Sequence, residues 1–515
     1  MSETRYPIGI QDFGEIRRNG YLYIDKTRHI YDLSHKGKYY FLGRPRRFGK
    51  SLLLSTMEAY FKAEKHLFDG LYIATAETDW TVHPVLHLDL NTADYSGENS
   101  LYDVLNKVLN EWEKLYGASP DETTPALRLS GIVRRACETT NQQVVFLVDE
   151  YDKPILQTID NEPLQERHRA MLKAFYSVLK SCDKYLRFAF LTGVTKFAKI
   201  SIFSDLNNLT DITMVAEYAD LCGVTETELH HYFDTSIHEL AAANKLTFDQ
   251  ACHELKEHYD GYHFAVDTPG IYNPFSLLNA LRFKTIGDYW FETGTPTFLV
   301  ELLKKCRYKL ENFTRERLTS DVLNSIEAAP ANPIPLIYQS GYLTLSGYNK
   351  RFGKYELNFP NKEVETGFVN FLLPAYMPVR DMTEFDVSHF IEDVENGNAE
   401  NFMNRLQAFF ADVDYKLVGD REIHFHNSLF LVFKIIGFYT QVEYHSSRGS
   451  ADIVVRTSNY IYVIECKLDS SAEVALAQID KKGYTAPFAA NARKVFKIGI
   501  NFSSKSRGIE QYIIK

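Results

Sequence analysis

The first 200 residues alternate short apolar runs with amphipathic stretches. The apolar runs predict strands over residues 39–42, 84–90, 144–148 and 187–191, and the pattern of residues 51–61 predicts a helix. Apolar strands that alternate with helices are typical of a parallel sheet covered on both faces. We therefore predict an α/β domain over residues 1–215.

The pattern changes near residue 216. Residues 226–240 and 248–259 predict helices, and residues 342–348 and 355–359 predict a hairpin followed by a helix that starts at Asn361. This order favours a helical, winged-helix-like domain over residues 216–378. Two prolines, Pro374 and Pro378, and the polar run 380–383 predict a linker. Residues 379–515 then follow the order helix, helix, strand pair, helix, strand, which indicates a second α/β domain.

Composition narrows the class of protein. The chain has 515 residues, of which 45% are hydrophobic and 24% charged, and this excludes collagen-like and disordered chains. Its six cysteines are far apart without a CxxC pair, and we find neither a signal-peptide pattern nor a long apolar stretch. We therefore expect a cytoplasmic protein that does not interact with a membrane.

Charge is distributed unevenly along the chain. The net charge is −10, yet residues 440–515 carry eleven Lys and Arg against seven Asp and Glu, whereas the remainder carries 46 against 60. A nucleic-acid partner is therefore expected at the C-terminal part.

A phosphate-binding loop is predicted between the first strand and the helix after it. Gly49, Lys50 and Ser51 supply the second half of the pattern GxxxxGK[ST], in which backbone N–H groups and the Lys hold phosphates and the hydroxyl binds Mg²⁺. Strict spacing puts Arg44 at the position of the first Gly, which is expected to weaken nucleotide binding. Three arginines, Arg44, Arg46 and Arg47, offset this if they add charge near the phosphates; a bland arginine-rich turn is the alternative.

A second feature supports the loop. The apolar strand ending at Val148 is followed by Asp149 and Glu150. In nucleoside triphosphatases the strand beside the loop ends in an Asp that holds the Mg²⁺ shell, and a following Glu acts as general base. Thr192, at the end of the next strand, is placed to sense the γ-phosphate, although a simple turn residue is equally consistent with that position.

A carboxylate–lysine group is predicted near the C-terminus. Two β-rich runs flank residues 457–459, and a turn at Ser458 and Asn459 puts Asp452 directly opposite Glu465. Opposed residues have Cβ atoms about 5 Å apart, so the two carboxylates need a shared cation such as Mg²⁺. Lys467 projects from the same face and is suited to stabilise charge on a phosphate. The alternative is an exposed hairpin end with a Glu–Lys ion pair.

The helix after this hairpin is predicted to start with a capping box at residues 470–473. Gln478 and Lys481 either face the carboxylates and the nucleic acid or form part of a solvated helix face.

The chain resembles a known pair of families. The N-terminal two-thirds resembles the AAA-ATPase-like family of anaerobic bacteria such as Bacteroides, and the C-terminal part resembles the PD-(D/E)XK nuclease domain. The motifs that carry the resemblance are YIDKT (23–27), RPRRFGKSLLLST (44–56), FLVDEYDKPI (146–155), residues 191–213, DGYHF (260–264), YNPFSLL (272–278), WFETGTPTFL (290–299), GSAD (449–452), ECK (465–467) and residues 478–484.

The resemblance implies a P-loop ATPase sheet, a helical middle and a restriction-endonuclease-like α/β domain. It implies ATP binding at Lys50, Ser51, Asp149 and Glu150, and Mg²⁺- or Mn²⁺-dependent phosphodiester cleavage at Asp452, Glu465 and Lys467. The leading hypothesis is an ATP-gated nuclease. A nucleotide switch that binds a partner or nucleic acid without cleaving it, and a nuclease independent of nucleotide, are the alternatives. Whether DNA or RNA is the substrate, and the oligomeric state, stay open.

Overall fold

A computed structural model describes residues 4–196, 208–292, 298–313, 316–324, 332–376, 387–411, 421–437, 441–444, 452–489, 491–503, 505 and 508–515. Parts of three quoted motifs, at residues 197–207, 293–297 and 449–451, lie outside these ranges, as do the predicted linker residues 380–383 and Pro378. The chain divides into two compact units, Met1–Gly294 with Glu316–Val364, and Thr295–Arg315 with Glu365–Lys515. The division into three domains at residues 215 and 378 stays a prediction.

The N-terminal part of the first unit is an α/β layer. Its strands are β1 (Tyr39–Gly43), β2 (Val85–Asp89), β3 (Val144–Asp149), β4 (Leu186–Gly193) and β5 (Thr210–Asp211). Its helices are α1 (Phe13–Arg18), α2 (Thr27–Lys36), α3 (Lys50–Phe61), α4 (Tyr72–Ala76), α5 (Ser100–Tyr116), α6 (Pro125–Thr140), α7 (Lys153–Leu156) and α8 (Glu162–Ser181). The strands form a parallel sheet in the order β2-β3-β4-β1-β5. The predicted strands and parallel α/β class are confirmed.

Every residue of β1 and β3 is buried. Buried parallel strands read as continuous apolar runs, which is why these segments could be recognised in the sequence. Because all five strands run the same way, their C-terminal ends meet at one edge of the sheet.

Helices dominate the segment that follows. They are α9 (Glu226–Asn244), α10 (Phe248–Tyr259), α11 (Pro274–Phe283), α12 (Tyr289–Glu292), α13 (Phe298–Lys305), α14 (Ser320–Leu323) and α15 (Ile334–Gln339), with a small sheet of β6 (Arg317–Thr319), β7 (Thr344–Asn349) and β8 (Lys354–Asn358). Capping boxes at Thr225 and Thr247 start α9 and α10 where the sequence predicts them. These two helices and α11 share a buried apolar core. The predicted hairpin is confirmed as the pair β7–β8.

The remaining elements are α16 (Lys362–Tyr376), α17 (Val387–Glu395), α18 (Ala399–Ala411), α19 (Arg421–Gly437), β9 (Gln441–Tyr444), β10 (Ile453–Arg456), β11 (Tyr460–Leu468), α20 (Ala472–Lys482), β12 (Lys494–Ser503) and β13 (Gly508–Ile514). Pro374 was predicted to belong to a linker, but it lies inside α16. Its missing N–H removes one helical hydrogen bond, and the burial of Leu373 and Tyr376 keeps this last turn packed.

The second unit contains a mixed sheet in the order β13-β12-β11-β10-β9. Strands β9, β10 and β11 are antiparallel neighbours, and α20 connects β11 to β12, which runs parallel to it. Side chains of α20, Leu476 and Ile479, pack against Val454, Ile461 and Val463 of the sheet. The predicted second α/β fold is confirmed.

Close approach of α20 to β12 depends on Gly499. A Cβ atom at this position would lie 2.3 Å from the carbonyl oxygen of Ala472 and 2.7 Å from the amide nitrogen of Leu476. Both are backbone atoms of the helix, so relief requires the whole helix to shift.

We expect Gly499→Ala to destabilise the second unit by about 1–3 kcal/mol because of this overlap. Differential scanning calorimetry on the full chain would measure the change. Gly97→Ala is the matched control, since a Cβ there meets only ordinary contact at 3.8 Å. Equal unfolding temperatures for the two variants would contradict the expectation.

Candidate functional site

The loop between β1 and α3 has a backbone shaped to bind an anion. Arg47 has a φ of 67° and Gly49 a φ of 92°, with Phe48 between them, and α3 begins at Lys50. Left-handed residues that alternate with ordinary ones turn successive N–H groups towards one side, and a helix N-terminus adds a partial positive charge. This local geometry fits the predicted phosphate-binding loop.

Arg44 has a different place from the one expected. Its guanidinium is buried and donates hydrogen bonds to the carbonyl oxygens of Gly43 (2.9 Å), Thr213 (2.8 Å) and Tyr218 (2.8 Å). It also lies 4.1 Å from the ring centroid of Phe264. Burial lowers the pKa of Arg44 to about 10, so the group remains charged at neutral pH. Arg44, at the position of the first loop Gly, therefore supports the loop from the interior of the domain. The expectation that its charge adds to the phosphate-binding face of the loop does not match this orientation.

Aromatic side chains hold the loop from behind. Phe48 is buried and makes edge contacts with Tyr262 and Phe264, at centroid distances of 4.7 and 5.3 Å. The indole N–H of Trp290 donates to the carbonyl oxygen of Arg46 at 3.2 Å. Residues of the DGYHF and WFETG motifs thus support the loop, a role that the sequence did not reveal.

Three side chains predicted to bind the nucleotide and its metal ion, those of Ser51, Asp149 and Thr192, meet at the C-terminal edge of the parallel sheet. Ser51 donates to Asp149 Oδ2 at 2.5 Å, and Thr192 donates to Asp149 Oδ1 at 2.6 Å. The strand order corrects one expectation, because β4 lies between β1 and β3. The strand that ends in Asp149 is therefore not beside the loop strand. Ser51, one residue into α3, reaches across the end of β4 to Asp149.

Lys50 has a buried ammonium group that bonds to main-chain carbonyl oxygens. Only 4% of the residue is exposed, and Nζ donates to the carbonyl oxygens of Arg44 and Pro45, each at 3.1 Å. Among the residues that the structure describes, no carboxylate forms an ion pair with Lys50. A buried cation that bonds only to neutral carbonyls is suited to a bound anion.

A cavity of about 470 Å³ opens directly in front of the loop. Its lining includes Lys50, Ser51, Glu150 and the arginines Arg46 and Arg47, but not Arg44. Other lining residues that the sequence analysis did not single out are the segment 7–11, Asn91, Lys153, Gln157 and Phe275. Arg47 lies over the ring of Phe275 at 4.9 Å. A volume of this size is typical of sites for small molecules and cofactors.

Glu150 sits at a strained backbone position. Its φ is 50°, a conformation rare for a residue with a side chain, and its carbonyl accepts a hydrogen bond from Lys153 N at 3.1 Å. Residues held this way are concentrated at active sites. Glu150 is half-buried and lines the cavity, as its predicted role requires.

Asp152 was not predicted as part of the site. It is buried and accepts hydrogen bonds from the backbone N–H of Val194 and from the N–H and hydroxyl of Thr195, the last two at 2.6 Å. These bonds tie the segment after β3 to the segment after β4. Burial, with a smaller contribution from Glu150, raises the pKa of Asp152 to about 6. A single Asp two residues after a predicted general base carries no recognisable pattern, so sequence reasoning missed it.

The second site lies on the hairpin of β10 and β11. Ile453 pairs with Ile464 and Arg456 with Ile461, so continuing the register by one residue places Asp452 opposite Glu465, as predicted. Asp452 Oδ2 accepts a hydrogen bond from the backbone N–H of Cys466 at 2.8 Å. The two-residue turn at Ser458 and Asn459, closed by the hydrogen bond from Thr457 N to the carbonyl oxygen of Tyr460 at 2.9 Å, fixes this register.

Glu465 uses its two oxygens differently. Oε1 accepts hydrogen bonds from Lys467 Nζ at 2.8 Å and from the side-chain amide of Gln478. Oε2 is buried and has no hydrogen-bond partner among the described residues. Leaving a carboxylate oxygen buried and unsatisfied costs free energy, and a bound cation is the partner that this oxygen suits.

Two details of the nearby helix differ from the sequence analysis. The N-cap of α20 is Ser471, which accepts a hydrogen bond from Val474 N, whereas the capping box was expected to start at Ser470. Ser470 instead donates its N–H to Asn501 Oδ1. Gln478 faces Glu465, but Lys481 is exposed on the solvent side of the helix.

The described part of the chain offers few candidate metal ligands near Asp452 and Glu465. Among side chains that the structure describes, no group of three or more His, Cys, Asp or Glu is arranged to hold a metal ion. Further ligand candidates upstream, Glu422, His426 and Glu443, have side chains outside the described part. Two carboxylates are consistent with Mg²⁺, which keeps several of its waters in protein sites.

Two regions of the chain match known protein families. Residues 7–203 match the family described as predicted AAA-ATPase, and residues 420–512 match the PD-(D/E)XK nuclease superfamily. A relative from Azotobacter chroococcum mcd 1, described as "Uncharacterized protein in vnfD 5'region", is 32% identical over 527 residues, covering 100% of this chain and 99% of the relative.

Two solved structures from Aeropyrum pernix align with the chain at low similarity. The ORC1 protein in complex with DNA has 11% identity and a TM-score of 0.23, covering 67% of this chain and 91% of that one. The ORC2 protein, in ADPNP and ADP complexes, has 12% identity and a TM-score of 0.22, covering 69% and 91%. At these scores the alignments establish nothing about the function of the chain.

The chain thus combines an AAA-ATPase-like domain with a domain of the PD-(D/E)XK nuclease superfamily. It belongs to the same protein family as the Azotobacter relative, which it matches over nearly the full length of both chains. In the described part of the chain, no helix combines the length and apolar character needed to span a membrane.

We expect Asp152 to make stability depend on pH. A carboxyl group whose folded pKa is raised, here from 3.8 to about 6, favours the folded state fully at low pH and loses that contribution as pH rises through this interval. Asp152→Asn cannot ionise. Relative to wild type, its free energy of unfolding should therefore rise between pH 4 and pH 6, by an amount on the order of 2 kcal/mol.

Denaturant unfolding at several pH values would measure the difference. Asp121→Asn, which changes an exposed carboxyl group of the same unit, is the control and should track wild type. A constant offset between Asp152→Asn and wild type over this range would contradict the assignment.

Proposed function

We propose that this protein binds ATP·Mg²⁺ at the loop domain and uses it to control Mg²⁺-dependent cleavage of nucleic acid by the C-terminal domain. The observation that supports nucleotide binding best is the buried Lys50 ammonium, which lacks an acidic partner in the described structure and lines the cavity in front of the loop. The unsatisfied Oε2 of Glu465 supports the metal-dependent step in the same way.

At the loop, each side chain has a defined task. The N–H groups of residues 46–50 and the Lys50 ammonium bind the β- and γ-phosphates. Ser51 and Asp149 would hold a Mg²⁺ ion, which would neutralise charge on the phosphates. Their oxygens already lie 2.5 Å apart, so both reach one position without movement of the backbone.

Glu150 is the general base of the proposed hydrolysis. It lines the cavity from the end of β3, and its half-buried carboxylate can accept a proton from water that attacks the γ-phosphate. Thr192 orients Asp149 through the bond to Oδ1 and thereby fixes which oxygen faces Ser51. Thr192 therefore positions the carboxylate of Asp149 whether or not it also contacts the γ-phosphate.

At the hairpin, Asp452 and Glu465 would hold Mg²⁺ or Mn²⁺, which supplies an activated water and stabilises charge on the phosphate. Gln478 and Lys467 both donate to Glu465 Oε1 and thereby fix the orientation of the carboxylate. Oε2 then stays available as a ligand for the metal ion. Lys467 is partly exposed, so its ammonium can also contact a phosphate oxygen.

We expect Lys50→Ala to reduce ATP affinity by at least about 10-fold, because the variant loses a buried ammonium group that lines the cavity in front of the loop. Titration with a fluorescent ATP analogue in Mg²⁺ would measure the affinity, and the ATP-induced rise in Tm should shrink accordingly. Lys62→Ala, at the exposed end of the same helix, is the control. An undiminished rise in Tm for Lys50→Ala would show that the loop does not hold phosphate.

We expect Lys467→Ala and Asp452→Ala to abolish cleavage while ATP binding stays as in wild type. Single-stranded and duplex DNA and RNA, incubated with Mg²⁺ or Mn²⁺ and with or without ATP, would reveal cleavage on gels. Lys482→Ala, an exposed lysine of α20, is the matched control and should cleave normally. A metal-loaded wild-type protein that cuts none of these substrates would overturn the nuclease proposal.

The same assay separates the control by ATP from its alternatives. Gated cleavage requires Lys50→Ala to lose the ATP dependence of cutting. Unchanged cutting by that variant would instead identify a nuclease independent of nucleotide, and ATP binding without any cutting would identify a nucleotide switch.

A further inference from the structure

The tip of the β7–β8 hairpin is an ordered surface feature outside both sites. Tyr348 pairs with Tyr355 and Asn349 with Lys354 across the two strands. Asn349 holds the connecting turn, since its Oδ1 accepts hydrogen bonds from the N–H groups of Arg351 (3.1 Å) and Phe352 (3.3 Å). The residues of the tip are therefore presented on a fixed backbone. We call residues 348–355 the hairpin tip.

The hairpin tip exposes an aromatic ring among cations. Phe352 is 63% exposed, at the outermost part of the turn. Lys350, Arg351 and Lys354 are exposed, and none of them forms an ion pair with a described residue. The segment contains no acidic residue, although the chain as a whole has a net charge of −10. Arg351 lies 5.4 Å from the centroid of the Phe352 ring.

A second exposed phenylalanine shows what is particular to the hairpin tip. Phe283 is 58% exposed and also has an arginine, Arg282, at 5.4 Å from its centroid. There, however, the neighbouring Lys284 is paired with Glu239 at 3.2 Å, and Phe283 stacks on Tyr289. An exposed ring with several unpaired cations is thus a property of the hairpin tip, not of exposed phenylalanines in this unit.

An exposed ring costs free energy in water, and unpaired cations of one sign repel each other. Both costs are relieved by a partner that combines regularly spaced negative charge with flat apolar faces. A polynucleotide strand has this chemistry, because phosphates bind Lys and Arg while an unpaired base stacks on an aromatic ring.

We propose that the hairpin tip binds single-stranded nucleic acid, with Lys350, Arg351 and Lys354 on phosphates and Phe352 stacked on a base. The choice of nucleic acid over another polyanion rests on the proposed function, which requires such a substrate. The hairpin tip then recruits the strand without taking part in its cleavage.

Fluorescence anisotropy with a labelled 20-nucleotide single strand would test this, in EDTA so that cleavage is absent. Phe352→Ala should weaken binding about 10-fold, since stacking on one base contributes on that scale. The variant Lys350→Gln/Arg351→Gln/Lys354→Gln should reduce the slope of log K against log salt by about 2, because each phosphate contact on a single strand contributes about 0.7.

Two controls match these variants. Phe283→Ala removes an equally exposed ring, and Lys107→Gln/Lys114→Gln/Lys180→Gln removes three exposed lysines of α5 and α8. Both should bind as wild type does. Cleavage by each variant at saturating substrate should also equal that of wild type, which separates this inference from the nuclease proposal.

Three outcomes would overturn the inference. One is equal affinity of Phe352→Ala and Phe283→Ala for the single strand. Another is the absence of wild-type binding in EDTA, which leaves the nuclease proposal to its own assay. The third is binding to vesicles of anionic phospholipid that depends on Phe352 while binding to the single strand does not.

Discussion

The first unit depends on a buried positive charge. Arg44 lies at the end of β1, where the chain leaves the sheet to form the anion-binding loop, and its guanidinium is almost completely shielded from water. A charge in such a place needs several hydrogen-bond acceptors, and it finds them in three main-chain carbonyls, those of Gly43, Thr213 and Tyr218. Because two of these carbonyls, those of Thr213 and Tyr218, belong to the segment after β5, Arg44 links the start of the loop to a part of the chain that is remote in sequence.

The same reasoning explains why helices beyond the sheet matter to the loop. Phe264 covers the guanidinium of Arg44 and also contacts Phe48, the residue between the two left-handed positions of the loop. The indole N–H of Trp290 donates a hydrogen bond to the carbonyl oxygen of Arg46, two residues before Phe48. The loop, the buried Arg44 and the aromatic side chains of Phe264 and Trp290 are thus in contact with one another. A movement of the segment that carries Phe264 and Trp290 would therefore also displace the backbone of the loop. Such a displacement is one way in which the proposed nucleotide control could act within this unit.

The second unit solves its electrostatic problem in another way. Glu465 is buried on β11, the central strand of its sheet, with Asp452 directly opposite it. Two donors satisfy one of its oxygens, and the other has no partner in the described structure. Such a half-satisfied carboxylate weakens the fold and persists where a site needs it. The burial of Glu465 is thus a constraint on the sheet as well as a feature of chemistry.

The sequence by itself determined the features that repeat at short range. Continuous apolar runs identified β1, β3 and β4, since a strand buried on both faces has no polar alternation. The register of the β10–β11 hairpin followed from its two-residue turn. These placed Lys50, Ser51 and Asp149 at one sheet edge, and Glu465 opposite Asp452.

Only the tertiary structure decided which side chains turn inward. Arg44 was expected near phosphate but bonds to carbonyls from distant segments, Asp152 became visible only through its bonds to Val194 and Thr195, and β4 lies between the two strands expected to be neighbours. Strand order and side-chain burial depend on contacts between residues remote in sequence, and local patterns of polarity carry no information about such pairs.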